Sequence, residues 1–231
     1  MIAQGIAAAF AVAALWRVRS RVASSRSKPV VALDLDEVLG AFLPALIRFH
    51  NDKYGTEYKL DDFFSYKFCD VWGGTNEETL DKIFEFFKTD YFLKDLKPIP
   101  GAHDVLQEFK DKFDFVVVTS RQHEITEETR HWLDQHFHGI ISRAEFGNHW
   151  AKDAPDPEDD HHSKRSKKEM CQEVGAILLI DDNMSYCKEV SQELGIPAVL
   201  FGDYGWNQGD VPSKVTRLPD WQAVRQYLRE L

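Results

Sequence analysis

Val30-Val31-Ala32-Leu33-Asp34-Leu35-Asp36-Glu37-Val38-Leu39-Gly40 is the stretch that decides the fold. Val30 to Leu33 is an unbroken apolar run with β-branched members, the pattern of a strand covered on both faces. Two carboxylates, Asp34 and Asp36, stand where that strand ends. In open α/β sheets ligands bind in the crevice beyond the strand carboxyl ends. A carboxylate taken out of water is costly unless paired or bound to a metal. The pair therefore implies a cation, a phosphoryl group or both nearby.

The same argument recurs further along. Ile177-Leu178-Leu179-Ile180 runs into Asp181-Asp182-Asn183, and Phe115-Val116-Val117-Val118 ends in Thr119-Ser120-Arg121. A basic run, Lys164-Arg165-Ser166-Lys167-Lys168, leads into an amphipathic segment. Helices are expected near 124–137, 167–174, 185–194 and 221–228, with further short strands near 139–142 and 195–201. This alternation predicts an α/β fold, a Rossmann-like three-layer sandwich on a mainly parallel sheet. Asp pairs, a hydroxyl pair and a lysine at the strand ends suit phosphoryl transfer. One carboxylate attacks and another moves the proton. Further carboxylates hold Mg²⁺, while hydroxyl and lysine grip phosphate oxygens.

Residues 41–97 read differently. Phe42 to Phe49 has helical periodicity, and Thr75-x-x-Glu78 is a capping box opening a helix through Phe86 and Phe87. An irregular stretch from Phe63 to Gly74 lies between them. The segment is expected to be a helical insert after the first strand, and Pro98-Ile99-Pro100-Gly101 marks the return. Its many aromatics, Phe63, Phe64, Tyr66, Phe68, Trp72, Phe84, Phe86, Phe87, Tyr91 and Phe92, are expected mostly to form its own core.

Composition narrows the class. The 231 residues suffice for one Rossmann-like domain with an insert, and the 43% hydrophobic content supports a core. A formal net charge of −10 argues against binding nucleic-acid duplexes. Cys69, Cys171 and Cys187 are too few and scattered for a disulfide framework and fit a reducing compartment. Residues 1–28 stand apart. They hold an apolar run from Ile6 to Trp16, then Arg17, Arg19, Arg21, Arg26 and Lys28, and no acid precedes Asp34. That is the composition of a mitochondrial or plastid transit peptide. The alternatives are a membrane anchor holding the enzyme on the cytosolic side, the sole route to a membrane, and a dispensable tail in the cytoplasm. The acidic, proline-bearing stretch Asp153 to His162 is expected to be a loop. Its His161-His162 pair reads as solvated rather than as a metal site, since no spaced third ligand accompanies it.

Four elements in this order resemble the haloacid dehalogenase superfamily of aspartyl-phosphate phosphatases, over roughly residues 29–205. The resemblance implies roles residue by residue. Asp34 would be the nucleophile, and Asp36 the general acid/base, which also ligates Mg²⁺ through its carbonyl. Thr119 and the Ser120 N–H would bind phosphate. Lys167 would be the catalytic lysine, with Lys164 the alternative. Asp181 and Asp182 would bind metal, although Asp182 could instead orient Lys167. The chain departs from the pattern at Glu37, where the superfamily often has Gly. In this reading residues 29–40 and 98–231 form the catalytic core and 41–97 a small helical cap. The cap, the Thr119-Ser120-Arg121 motif, Leu178-Leu179-Ile180-Asp181-Asp182-Asn183 and Leu200-Phe201-Gly202-Asp203-Tyr204-Gly205-Trp206-Asn207 most resemble the 5'(3')-deoxyribonucleotidase-like branch. That implies a (deoxy)nucleoside monophosphate substrate, with Phe42 near the base and Arg121 reaching phosphate or sugar, or else lying on the surface. A sugar-phosphate or protein phosphatase is the alternative within the class, and a non-catalytic scaffold the alternative outside it.

Overall fold

The computed structural model describes residues 27–149 and 164–231. The leader, apart from its last residues, and the 153–162 loop lie outside the described residues. Among those described, no helix is long and apolar enough to cross a membrane.

Six strands form one sheet in the order β3-β2-β1-β4-β5-β6: β1 Val30–Leu33, β2 Asp114–Thr119, β3 Ile141–Phe146, β4 Ala176–Asp181, β5 Ala198–Phe201 and β6 Val215–Leu218. All pairings are parallel. Side chains alternate between faces. Val31, Leu33, Phe115, Val117, Leu178 and Ile180 point into one core with α5 (Ala102–Phe109), α6 (Thr126–Phe137) and α9 (Trp221–Glu230). Ala32, Val116, Val118 and Leu179 point into a second core with α7 (Lys167–Val174) and α8 (Met184–Glu189). Helix, sheet, helix is the three-layer arrangement expected. β1, β2 and β4 are covered on both faces, which is why they read as continuous apolar runs.

The edges depart from the sequence reading. β3 is longer and later than the 139–142 expectation because Ser142, Arg143 and Glu145 belong to an edge strand with little apolar signal. β6 has no counterpart in that reading for the same reason: Thr216 and Arg217 interrupt it at the other edge. β5 starts at Ala198 rather than 195, since Gly195 closes the preceding helix with φ +73° and Pro197 has no N–H to give. A single 3₁₀ turn, His123–Ile125, precedes α6, and a π turn extends α8 to Leu194.

Between β1 and β2 the chain is helical: α1 Phe42–Tyr54, α2 Cys69–Trp72, α3 Asn76–Phe86 and α4 Asp90–Leu93. The short α2 and α4 were not expected. Thr75 and Glu78 do form the capping box that opens α3. Phe63, Phe86, Phe87 and Phe92 are buried and continuous with the first core, whereas Phe64 is 61% exposed. Most of the aromatics thus serve packing.

Candidate active site

The functional side chains meet at the carboxyl edge of the sheet. β1 delivers Asp34, β2 delivers Thr119, and β4 delivers Asp181, followed by Asp182. These strands are central neighbours, so their ends converge. α7 supplies the cation. A capping box between Ser166 and Glu169 starts that helix at Lys167. Its first residue therefore faces the sheet, and Lys167 is 0% exposed.

The Lys167 ammonium lies 2.6 Å from Asp34 Oδ1 and 2.9 Å from Asp181 Oδ2, and donates to the Val118 carbonyl at 2.6 Å. Burial pulls its pKa down, but Asp181 and Asp34 outweigh that and hold the ammonium above its ordinary range. Asp34 is pushed up to about 7 by burial, with Asp181 and Asp36 adding to the rise and Lys167 opposing it. Asp182 is raised well above the carboxylate range, first by burial and then by Asp181 and Asp34. One cation thus faces several carboxylates. Asp34, Asp181 and Asp182 can each bring an oxygen within 4.8 Å of the others.

These contacts decide two open points. Lys167, not the exposed Lys164, enters the cluster. The carboxylate partners of Lys167 are Asp34 and Asp181, so Asp182 does not orient it. Asp182 Oδ2 instead accepts from Trp206 Nε1 at 2.7 Å and from the Tyr66 hydroxyl at 3.1 Å. The Asp182 carbonyl accepts from the same hydroxyl at 2.7 Å and from Asn207 at 3.2 Å. Tyr66 belongs to the helical insert, so insert and core join on this aspartate.

Asp36 lies outside the three-carboxylate group, and its side chain turns to Arg121. Nε donates to Asp36 Oδ2 at 3.1 Å and Nη2 to Oδ1 at 2.6 Å, the two-pronged geometry that favours Arg over Lys. Nη1 donates to Thr129 Oγ1 at 2.9 Å. Phe92 and Phe42 of the insert lie against the guanidinium, at 5.1 and 5.8 Å. Arg121 is therefore buried and committed to Asp36, neither a surface arginine nor free for a substrate phosphate. Phe42 also packs edge-on against Phe86.

Glu37 occupies the left-handed region with φ 59°, which explains why glycine is the easier residue there. It offsets that strain locally. Its carboxylate accepts the Leu43 N–H at 2.8 Å, capping α1, and its carbonyl accepts the Tyr204 hydroxyl at 3.0 Å. Burial, with Asp36 second, raises its pKa well above the carboxylate range.

Thr119 is buried, and its hydroxyl accepts the Arg121 N–H at 3.2 Å. Ser120 Oγ donates to the Tyr186 hydroxyl at 3.3 Å. Tyr66, Tyr186, Trp206 and His149 are site residues that sequence reasoning did not single out. Asn183 caps α8, the helix that carries Tyr186.

The cluster combines a buried carboxylate, a lysine against it, a second carboxylate in an arginine fork and oxygen donors in excess of positive charge, an arrangement that suits phosphate-transfer chemistry. Comparison with known proteins agrees. The family model described as "5' nucleotidase, deoxy (Pyrimidine), cytosolic type C protein" matches residues 28–146, more than half of the 231. A Halalkalibacterium halodurans protein named "Putative nucleotidase" is 23% identical over 211 residues, covering 89% of this chain and 95% of its own. A Clostridium acetobutylicum 5'(3')-deoxyribonucleotidase is 23% identical over 111 residues, 48% of this chain and 60% of its own. Among solved structures, a predicted phosphatase from Clostridium acetobutylicum superposes with TM-score 0.63 at 14% identity, covering 89% of this chain and 100% of its own. A haloacid-dehalogenase-superfamily hydrolase from Geobacter sulfurreducens gives TM-score 0.54 at 15% identity, with 87% and 96% covered. These two establish likeness of fold.

Proposed function

The chain belongs to the 5' nucleotidase, deoxy (pyrimidine), cytosolic type C family, and from that premise we propose that it hydrolyses a (deoxy)nucleoside monophosphate through an aspartyl-phosphate on Asp34, with Mg²⁺ as cofactor. Hydrolysis of phosphoric monoesters follows from the family. The observation that carries the finer reading is the Lys167 ammonium held between Asp34 and Asp181.

In this reading an Asp34 oxygen attacks phosphorus, the P–O bond to the nucleoside breaks, and Asp36 gives its proton to the departing alcohol. Asp36 then takes a proton from water, which attacks the same phosphorus and returns Asp34 as a carboxylate. Arg121, donating to both Asp36 oxygens, fixes the position of the carboxylate between these two transfers. Lys167 is surrounded by three acceptors and works mainly by holding Asp34 in place and neutralising charge around it. The Thr119 hydroxyl and the Ser120 N–H would receive phosphate oxygens.

The donor set suits a hard divalent cation. Three buried carboxylates face one ammonium, and Asp181 Oδ2 has an ion-pair contact but no aligned hydrogen bond. Asp34, Asp181 and Asp182 would hold Mg²⁺, which when bound would neutralise the nucleophile and the phosphoryl oxygens. The helical insert, joined to the core at Asp182 and Arg121, would act as the cap that selects the substrate.

The test is phosphate release by the purified full chain with Mg²⁺ across nucleoside monophosphates, sugar phosphates and phosphopeptides, with Asp34→Asn alongside. Selective release from nucleotides, lost in the variant while its thermal unfolding is retained, is expected. Release undiminished in Asp34→Asn would overturn the mechanism. Release from sugar phosphates or phosphopeptides alone would overturn the substrate.

A further inference from the structure

Residues 147–149 run alongside the loop that ends β2. Gly147 N–H donates to the Thr119 carbonyl at 2.7 Å, Asn148 N–H to Arg121 at 3.1 Å and His149 N–H to Ser120 at 3.1 Å. This third segment has no role in the chemistry above, yet it brings an imidazole to the phosphate-binding loop. His149 Nε2 lies 2.6 Å from the Arg165 carbonyl, and Nδ1 lies 3.1 Å from the Tyr186 hydroxyl.

The acceptors settle the direction of these bonds. A carbonyl can only accept, so His149 Nε2 carries a proton. Burial is the largest influence on His149 and lowers its pKa, which favours the neutral ring, while the hydrogen bond to Arg165 opposes it. Nδ1 is then a bare acceptor, and the Tyr186 hydroxyl donates to it. The Tyr186 oxygen keeps its lone pairs for the Ser120 hydroxyl, 3.3 Å away. The order is Ser120 to Tyr186 to His149 to the Arg165 carbonyl, each donating to the next. The Tyr186 ring also lies 5.5 Å from the Lys167 ammonium.

We propose that His149 and Tyr186 are positioning residues for the phosphate-binding loop, a one-way hydrogen-bond relay that holds the Ser120 side chain on Tyr186 and leaves its backbone N–H for the phosphate. The purpose assigned to the relay rests on the phosphatase reading above. Substrate phosphate touches neither residue. Their effect falls equally on ground-state and transition-state binding of the phosphoryl group, so it shows in KM rather than in kcat.

Tyr186→Phe is the clean probe, because it keeps the ring against Lys167 and removes only the hydroxyl. Its inhibition constant for orthovanadate and its KM should both rise about fivefold to tenfold, the size of one hydrogen bond, while kcat changes less than about twofold. His149→Leu should do the same, and His149→Asn, which keeps an acceptor near Nδ1, should recover most of the loss. Nitrogen-15 NMR of the imidazole in the wild-type chain should show the Nε2–H tautomer with bare Nδ1. An Nδ1–H tautomer would overturn the relay and leave the phosphatase reading standing. Wild-type orthovanadate affinity in Tyr186→Phe, even with a lowered melting temperature, would reduce both residues to packing. A wild-type chain with the expected tautomer that neither binds orthovanadate nor releases phosphate would overturn the phosphatase reading and, with it, the relay's purpose.

Discussion

Replacing Lys167 by Met tests the electrostatics of the site directly. Methionine fills much of the volume and removes the charge. Around it remain Asp34, Asp181 and Asp182, all buried, and a Val118 carbonyl that has lost its donor. Removing one partner of a buried ion pair costs about 3–5 kcal/mol, because the remaining charges stay desolvated. For a chain of this length that is a fall in melting temperature of roughly 6–20 °C. Against an overall stability of about 5–15 kcal/mol, the variant should still fold. Mg²⁺ should then restore more stability to the variant than to the wild type. The formal charge of the cluster goes from two net negatives to three, so the cation is held more tightly, and a ligand at a hundred times its Kd contributes about 2.7 kcal/mol. Urea denaturation of both proteins, in chelator and in excess Mg²⁺, measures each quantity. Phosphate release by the variant should fall by several powers of ten whether or not stability is restored. A variant that, in chelator, unfolds within about 1 kcal/mol of the wild type would show that no buried charge had been left uncompensated.

Arg121→Lys keeps the charge but loses the fork on Asp36, so kcat should drop by about one to two powers of ten with KM nearly unchanged; an unaltered kcat would show that Asp36 needs no such orientation. Tyr66→Phe removes the insert's hydroxyl from Asp182 and should weaken Mg²⁺ binding about tenfold by calorimetric titration, with equal affinity arguing against any link between insert and cation. His50 is held down to about 4 by burial, with Lys82 second. A basic group whose folded pKa is depressed takes up its proton more readily when unfolded, so it favours folding more as pH rises from about 4 to about 6.5 and contributes no slope above that. After discounting for solvent screening this amounts to roughly 1–2 kcal/mol, and His50→Gln should flatten the melting-temperature profile across that window.

The parts legible in the sequence were those whose signal is local. β1, β2 and β4 are central strands, so their apolar runs marked both the sheet and the positions of Asp34, Thr119 and Asp181. The Ser166–Glu169 capping box fixes where α7 begins, and that alone would have separated Lys167 from Lys164. Edge strands were misplaced or missed because one side faces water and polar residues are free to occupy it. Arg121 was ambiguous because burial, not residue type, distinguishes a clamp from a surface charge. Tyr66, Trp206, Tyr186 and His149 escaped because each acquires its role from a partner distant in sequence. Until the chain is folded, a hydrogen-bonding aromatic at a site looks like one that packs a core. Glu37 was noticed as a departure, but its reason, a positive φ made tolerable by two specific donors, the Leu43 N–H and the Tyr204 hydroxyl, exists only in three dimensions.

The turn that follows β1 is held from far along the chain. Trp221 Nε1 donates to the Val38 carbonyl at 2.9 Å, and the Tyr204 hydroxyl to that of Glu37. Trp221 opens α9 and is almost wholly buried. A nascent chain emerging from the ribosome therefore makes its nucleophile early and receives the fastenings for the adjacent loop late. Contacts of such long sequence separation close slowly, because loop entropy must be overcome first. Until α9 has emerged and docked, the Asp34 loop lacks this part of its scaffold. A stop codon before Trp221 would leave Asp34, Lys167 and Asp181 all translated, yet deprive the loop after β1 of one of its two fastenings.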